Sequence, residues 1–259
     1  LTVLAGGFTT DRDFVDMLRV MQIALSQGQL KPEDAAETAR LLTEEFPSSD
    51  RLINRELMCL LTYLRVSSIM DRYLEYLGSA DVHDVDKLHV ALHLPLLSDG
   101  WNAGRQIQLI EFLDAAQGQP GGSSRASCIT TASRSFAQSL SDERVREILA
   151  EGDRWPHAAV ALLYRLPQHL DAATLTTLKQ LDERLQENRD STTTRLKVGL
   201  VAVMARSGDA ESLAYLRTLW ERDPERRPAV AMGLAQWPTG ENWHYLIRSL
   251  PVVESDVAR

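Results

Sequence analysis

The chain has 259 residues, of which 25% are charged and 44% hydrophobic, and its formal net charge is −8. That length can bury a substantial core, and no apolar run approaches the roughly 18 residues of a membrane-spanning helix. An acidic chain with 4 lysines lacks the basic footprint of a nucleic-acid binder.

In chain order, the opening run of residues 1–7 is too short, and too poor in basic residues, to read as a signal peptide. A start on Leu1 instead of Met points to a processed chain or an excised piece. Thr10 or Asp11 then caps a helix with apolar positions Phe14, Leu18, Met21 and Leu25, ending near Gly28. Pro32 suits a first helical position and is followed by Glu33 and Asp34, with Ala35, Ala39 and Leu42 as the apolar face. Pro47 stops that helix and Asp50 caps the next. Pro95 falls inside the helix carrying Val90 and Leu94 and predicts a kink. The run from Gly118 to Ser127 reads as a long polar loop. Asp171 opens an amphipathic helix with Leu175, Leu178, Leu181 and Leu185. Gly78, Gly100, Gly152, Gly208 and Gly240 mark further turns, and strand signals are almost absent.

These elements repeat. Laying residues 53–77 over 226–250 without a gap pairs Leu57 with Val230, Leu61 with Leu234, and Leu64 with Trp237. After the turn, Met70 pairs with Trp243, Tyr73 with Leu246, Leu74 with Ile247, and Leu77 with Leu250. The same stripe recurs from Val90, Ala159 and Leu196, so successive units start at 57, 90, 159, 196 and 230. Steps in the mid-thirties suit two-helix repeats, and the wide step from 90 to 159 leaves room for one more unit over 123–150. The expectation is an all-α, α-α superhelix: a HEAT-like solenoid of about seven antiparallel helix pairs forming one domain over 1–259. The pairs begin near Asp11, Asp50, Asp84, Ser123, Pro156, Thr192 and Pro224.

Several segments carry a family resemblance. They are Phe46-Pro47 through Asn54-Arg55-Glu56-Leu57, Leu61-Thr62-Tyr63-Leu64, Asp99-Gly100-Trp101 and Gly121-Gly122-Ser123. Arg226-Arg227 through Ala231-Met232-Gly233-Leu234-Ala235, and Glu241-Asn242-Trp243 with Tyr245-Leu246 and Ser249-Leu250, belong with them. From about Phe46 onward the chain resembles the HEAT-like region of large secreted bacterial multidomain proteins that also carry a dehydrogenase-like propeller and a c-type cytochrome module. The resemblance implies a helical spacer or docking module in an extracytoplasmic setting, and as a second function an accessory domain of an oxidoreductase. The Cys-x-x-Cys-His of a haem attachment site is absent from the sequence, so no haem ligation follows.

Chemistry is sparse. His89 and His93 are four apart on one predicted helix, but zinc sites need three or four protein ligands, so neither metal nor cofactor is expected. Cys59, inside an apolar helix, reads as a buried free thiol, and Cys128 completes no metal-ligand spacing. Asp182-Glu183 and similar pairs are explained by helix termini as readily as by acid–base work. The tryptophans could line a concave face as in HEAT-like DNA glycosylases, but the charge opposes that, and Trp237 and Trp243 fall at core positions of the template. The reading is a non-catalytic scaffold for a protein or a neighbouring domain of the same parent chain. Its expected contacts are Arg72, Glu75, Arg105, Gln108, Glu111, Lys179, Arg217, His244 and Arg248, on the second helices of the pairs. Residues 241–253 are expected to carry an apolar patch on which the next domain or a partner sits.

Overall fold

In a computed structural model of the chain, which describes residues 10–28 and 35–250, fourteen α-helices follow one another and no strand occurs among the described residues. They are α1 (Asp11–Ser26), α2 (Ala36–Glu44), α3 (Arg51–Tyr63), α4 (Met70–Gly78), α5 (Asp84–His93), α6 (Ala103–Gly118) and α7 (Ser123–Ser139). Then come α8 (Asp142–Ala150), α9 (Pro156–Leu163), α10 (Ala172–Arg184), α11 (Ser191–Ser207), α12 (Ala210–Arg222), α13 (Arg227–Ala235) and α14 (Glu241–Ser249). The all-helical expectation therefore holds among the described residues. No described helix is long and apolar enough to cross a membrane. The features expected at Pro32 and at residues 251–253 lie outside the described residues.

Caps set most helix starts. Thr10 accepts from the Asp13 amide, and Asp50 accepts from the amides of Leu52 and Ile53, at 2.6 and 3.2 Å. Asn102, Ser141, Asp171, Asp190 and Asp209 do the same for α6, α8, α10, α11 and α12. Each satisfies an amide that the first helical turn would leave unpaired.

Two local expectations are corrected. Pro95 does not kink a continuing helix. It ends α5 at His93 and starts a 3₁₀ turn, Leu94–Leu96, closed by the Leu97 amide on the Leu94 carbonyl at 3.1 Å. Proline supplies no amide to the helical ladder and crowds the preceding turn, so termination is the cheaper solution. Nor is there a long loop over 118–127: α6 runs through Gly118 and α7 already starts at Ser123. Arg125, in the first turn of α7, donates to the carbonyls of Ala116 and Gln119 at 2.8 and 3.3 Å, tying the two helices across a short connection.

The helices gather into two compact units, Leu1–Ser139 and Leu140–Arg259. In the first, α3 packs on α1 and α5, α5 on α7, and α4 on both α5 and α6. In the second, α11 packs on α9 and α13, α8 on α9 and α10, and α14 on α12 and α13. Within each unit a helix thus touches its sequence neighbour or the next but one. Leu57, Leu61, Val230 and Leu234 are all fully buried, so the first helices of the two matched pairs keep the same register.

The second helices do not share one fate. In α4, Met70 is 0% exposed and Leu74 and Leu77 are buried, with Leu77 facing Leu88 of α5 and Phe112 and Ala116 of α6. At the equivalent positions of α14 and its C-cap, Trp243, Ile247 and Leu250 are 57%, 53% and 58% exposed. The assignment of Trp237 and Trp243 to the core is therefore corrected. Two further helices pack on α4, whereas among the described residues nothing follows α14 to cover its stripe. Trp237, 38% exposed, lies on Gly208 and donates its indole N–H to the Ala205 carbonyl at 2.7 Å.

Among the described residues, each unit holds one buried carboxylate. Asp86 on α5 takes Arg51 at 2.5 Å and Arg55 at 2.7 Å, both from α3. Asp182 on α10 takes Arg226, Arg222 at 3.2 Å, and the Tyr215 hydroxyl at 2.9 Å. A carboxylate enclosed by two guanidinium groups and a phenol serves to hold helices together, and Asp182 is spent in that way.

Candidate functional site

The nine expected contact residues divide into two groups. Five cations bind neighbouring elements. Arg72 donates to the carbonyls of Thr43 and Phe46. Arg105 grips Asp71 of α4 through both Nε and Nη2 at 2.7 Å. Lys179 of α10 meets Glu211 of α12 at 2.6 Å. Arg217 of α12 donates to Asn242 at 2.7 Å and pairs with Glu241 at 3.1 Å, both on α14. Arg248 of α14 returns to Glu221 of α12 at 2.5 Å. These bonds tie α4 to α2, α6 to α4, and α12 to both α10 and α14, always within a unit. Glu75, Gln108, Glu111 and His244 stay exposed on the same helices.

A different cluster brings together the most chemically capable side chains. His89 and His93 share a face of α5, as their spacing requires, and their ring centroids are 4.4 Å apart. Cys59 of α3 lies against them: its Sγ is 3.8 Å from His89 Nε2 and 3.6 Å from His93 Nε2. The three ligand atoms all fall within 4.8 Å of one another, and all three residues are half-buried. Cys59 is thus a free thiol, but not the buried and isolated one its helix suggested. The two-ligand count behind the expectation of no metal is corrected to three.

The His93 ring is held from behind. His93 Nδ1 lies 2.7 Å from the His89 carbonyl, and a carbonyl only accepts, so Nδ1 carries a proton, and in the neutral ring the Nε2 facing Cys59 is then the acceptor. Burial, then the neighbouring His93, pushes the His89 pKa down, which keeps that imidazole neutral. Burial, then the Glu56 carboxylate, pushes the Cys59 thiol up, so without a cation beside it the sulfur keeps its proton.

A sequence signal for the third member existed. The 33-residue step that carries Leu57 onto Val90 and Leu61 onto Leu94 carries Cys59 onto position 92, between the two histidines. Because α3 packs on α5, positions related by that step lie side by side.

The tryptophans differ in setting. Trp155 and Trp220 are buried, Trp101 packs on Phe136 at 5.2 Å, and Trp237 and Trp243 reach the surface of the second unit. No family model, no curated protein and no solved structure matches the chain.

Proposed function

We propose that this chain is a non-catalytic helical-repeat scaffold, a HEAT-like stack of helix pairs that docks a protein partner or a neighbouring domain through its last helix. The observation that carries the reading is the stripe of Trp243, Ile247 and Leu250 on α14, three large apolar side chains each more than half exposed. Their spacing of four and three residues puts them on one helical face. The equivalent face of α4 is covered by two helices, so the natural occupant of the α14 face is another amphipathic helix. Exposed apolar stripes of this size mark interfaces more often than they persist bare. Glu75, Gln108, Glu111 and His244 supply polar contacts on the same set of second helices, while the five cations stiffen that set. The resemblance to secreted multidomain redox proteins fits such a part: a spacer or docking module that supplies geometry to chemistry carried elsewhere.

The test compares Ile247→Asp and Leu250→Asp with the wild type. The expected result is wild-type binding of an environment-sensitive apolar dye and concentration-dependent self-association in sedimentation. Both should fall in the variants, at a melting temperature near that of the wild type. Variants that lose roughly 2–5 kcal/mol, as a core deletion does, would show that the stripe is internal packing. Unchanged dye binding with intact stability would equally remove the docking reading.

A further inference from the structure

We propose that Cys59, His89 and His93 form a binding site for one zinc-class divalent ion, with a fourth coordination position open to an exogenous ligand. The inference does not depend on the docking reading, since the cluster lies in the first unit and the α14 stripe in the second.

Geometry carries it. Zinc–sulfur and zinc–nitrogen bonds of about 2.3 and 2.0–2.1 Å at a tetrahedral angle place the ligand atoms about 3.6 Å apart. The sulfur stands 3.6 and 3.8 Å from the two imidazole nitrogens. The sulfur-to-nitrogen separations therefore already match a tetrahedral site, and all three donor atoms lie within 4.8 Å of one another. The proton on His93 Nδ1, donated to the His89 carbonyl at 2.7 Å, leaves the nitrogen that faces the sulfur free to coordinate. Outer contacts of this kind orient ligating histidines in metal sites generally.

The donor set names the class of ion. One thiolate and two imidazoles suit a borderline-soft ion such as zinc, while magnesium and calcium take oxygen ligands. Binding deprotonates Cys59, the Sγ–H proton leaving to solvent as the sulfur–metal bond forms. The nearest further carboxylate on α3, Glu56, is already held by Arg19 at 2.9 Å and Gln22 at 2.7 Å. Among the described residues no other His, Cys, Asp or Glu joins the group. With three protein ligands, all half-buried, the fourth position falls to water or to a small anionic or thiol ligand, the arrangement of zinc sites that keep an open position.

A thiol hydrogen-bonded to two imidazoles has similar separations, and metal titration distinguishes the two. The full chain is stripped with a chelator in a Cys128→Ser background, which removes the exposed thiol, and is then titrated with Zn2+ and Co2+. One ion per chain is expected. Cobalt should show thiolate-to-metal charge transfer together with the d–d bands of four-coordination. Cys59→Ala, His89→Ala and His93→Ala should each weaken binding tenfold or more. Cys59→Ala should abolish the charge-transfer band and the rise in melting temperature that zinc produces, while His157→Ala changes neither. Helix content by circular dichroism, with Cys59→Ser as a second variant of near-native shape, keeps misfolding from passing as ligand loss. No binding with zinc in excess, or a cobalt spectrum unchanged by Cys59→Ala or Cys59→Ser in a folded chain, would overturn the site.

Discussion

At Gly208 the backbone takes a φ of +68° where α11 ends, and the Trp237 ring lies directly over it. A Cβ there would fall 2.1 Å from the ring. The same indole satisfies the Ala205 carbonyl, one of the acceptors a helix C-terminus leaves open. Gly208→Ala therefore meets two penalties, a left-handed backbone and a blocked cap, and should cost more than about 1 kcal/mol in chemical denaturation. Asp86 makes the second residue-scale prediction. Burial alone would raise its pKa, but the hydrogen bonds from Arg51 and Arg55 outweigh it and hold the carboxyl below its usual range. A depressed folded-state pKa contributes stability that is fully present above the unfolded value of about 3.9 and fades as pH falls toward the folded value. Asp86→Asn should lose roughly 1.5–3 kcal/mol at neutral pH, and its acid unfolding should begin from that lower baseline with a shallower slope below pH 4. Parallel acid titrations of both proteins measure the difference.

At the scale of the element, the matched helices α3 and α13 make a paired test. Leu61 and Leu234 are both fully buried, so alanine at either should cost roughly 2–5 kcal/mol. A loss below half a kcal/mol at one of them would break the repeat register. What was legible in the sequence follows the same division. Apolar spacing along one helix placed these leucines, and side-chain capping chemistry placed Asp50 and Asp171, because both are local. The glycines at 121 and 122 misled for a related reason: they suggest a long loop, yet Arg125 closes the gap with bonds that composition does not reveal. Trp243 was misplaced because burial of a second helix is decided by what packs on it next, and that information is absent from its own stripe.

At the scale of the molecule, the candidate metal cluster shows how far a repeat can be read. The i, i+4 histidines were visible as a pair, and the helix stack supplied the cysteine 30 residues away. The five cations of the second helices were legible as polar residues on one set of helices, but not as rungs already taken by Asp71, Glu211, Glu221, Glu241 and backbone carbonyls. Exposed ion pairs of this kind contribute about 0–1 kcal/mol each, so their weight lies in fixing where each second helix sits.

Those rungs have a kinetic consequence. Among the described residues the side-chain bonds that join helices span short stretches of chain, from 7 residues between Arg227 and Trp220 to 44 between Arg226 and Asp182. No distant ends have to find each other before a group of helices gains stability, so the entropy of closing large loops scarcely enters the barrier. Nucleation can begin at any well-formed pair and spread to its neighbours. Rapid-mixing refolding should accordingly show an early phase in which helix content and the burial of Trp220 rise together, and tryptophan fluorescence and circular dichroism should diverge along a denaturant gradient as separate stretches of the chain melt at their own midpoints.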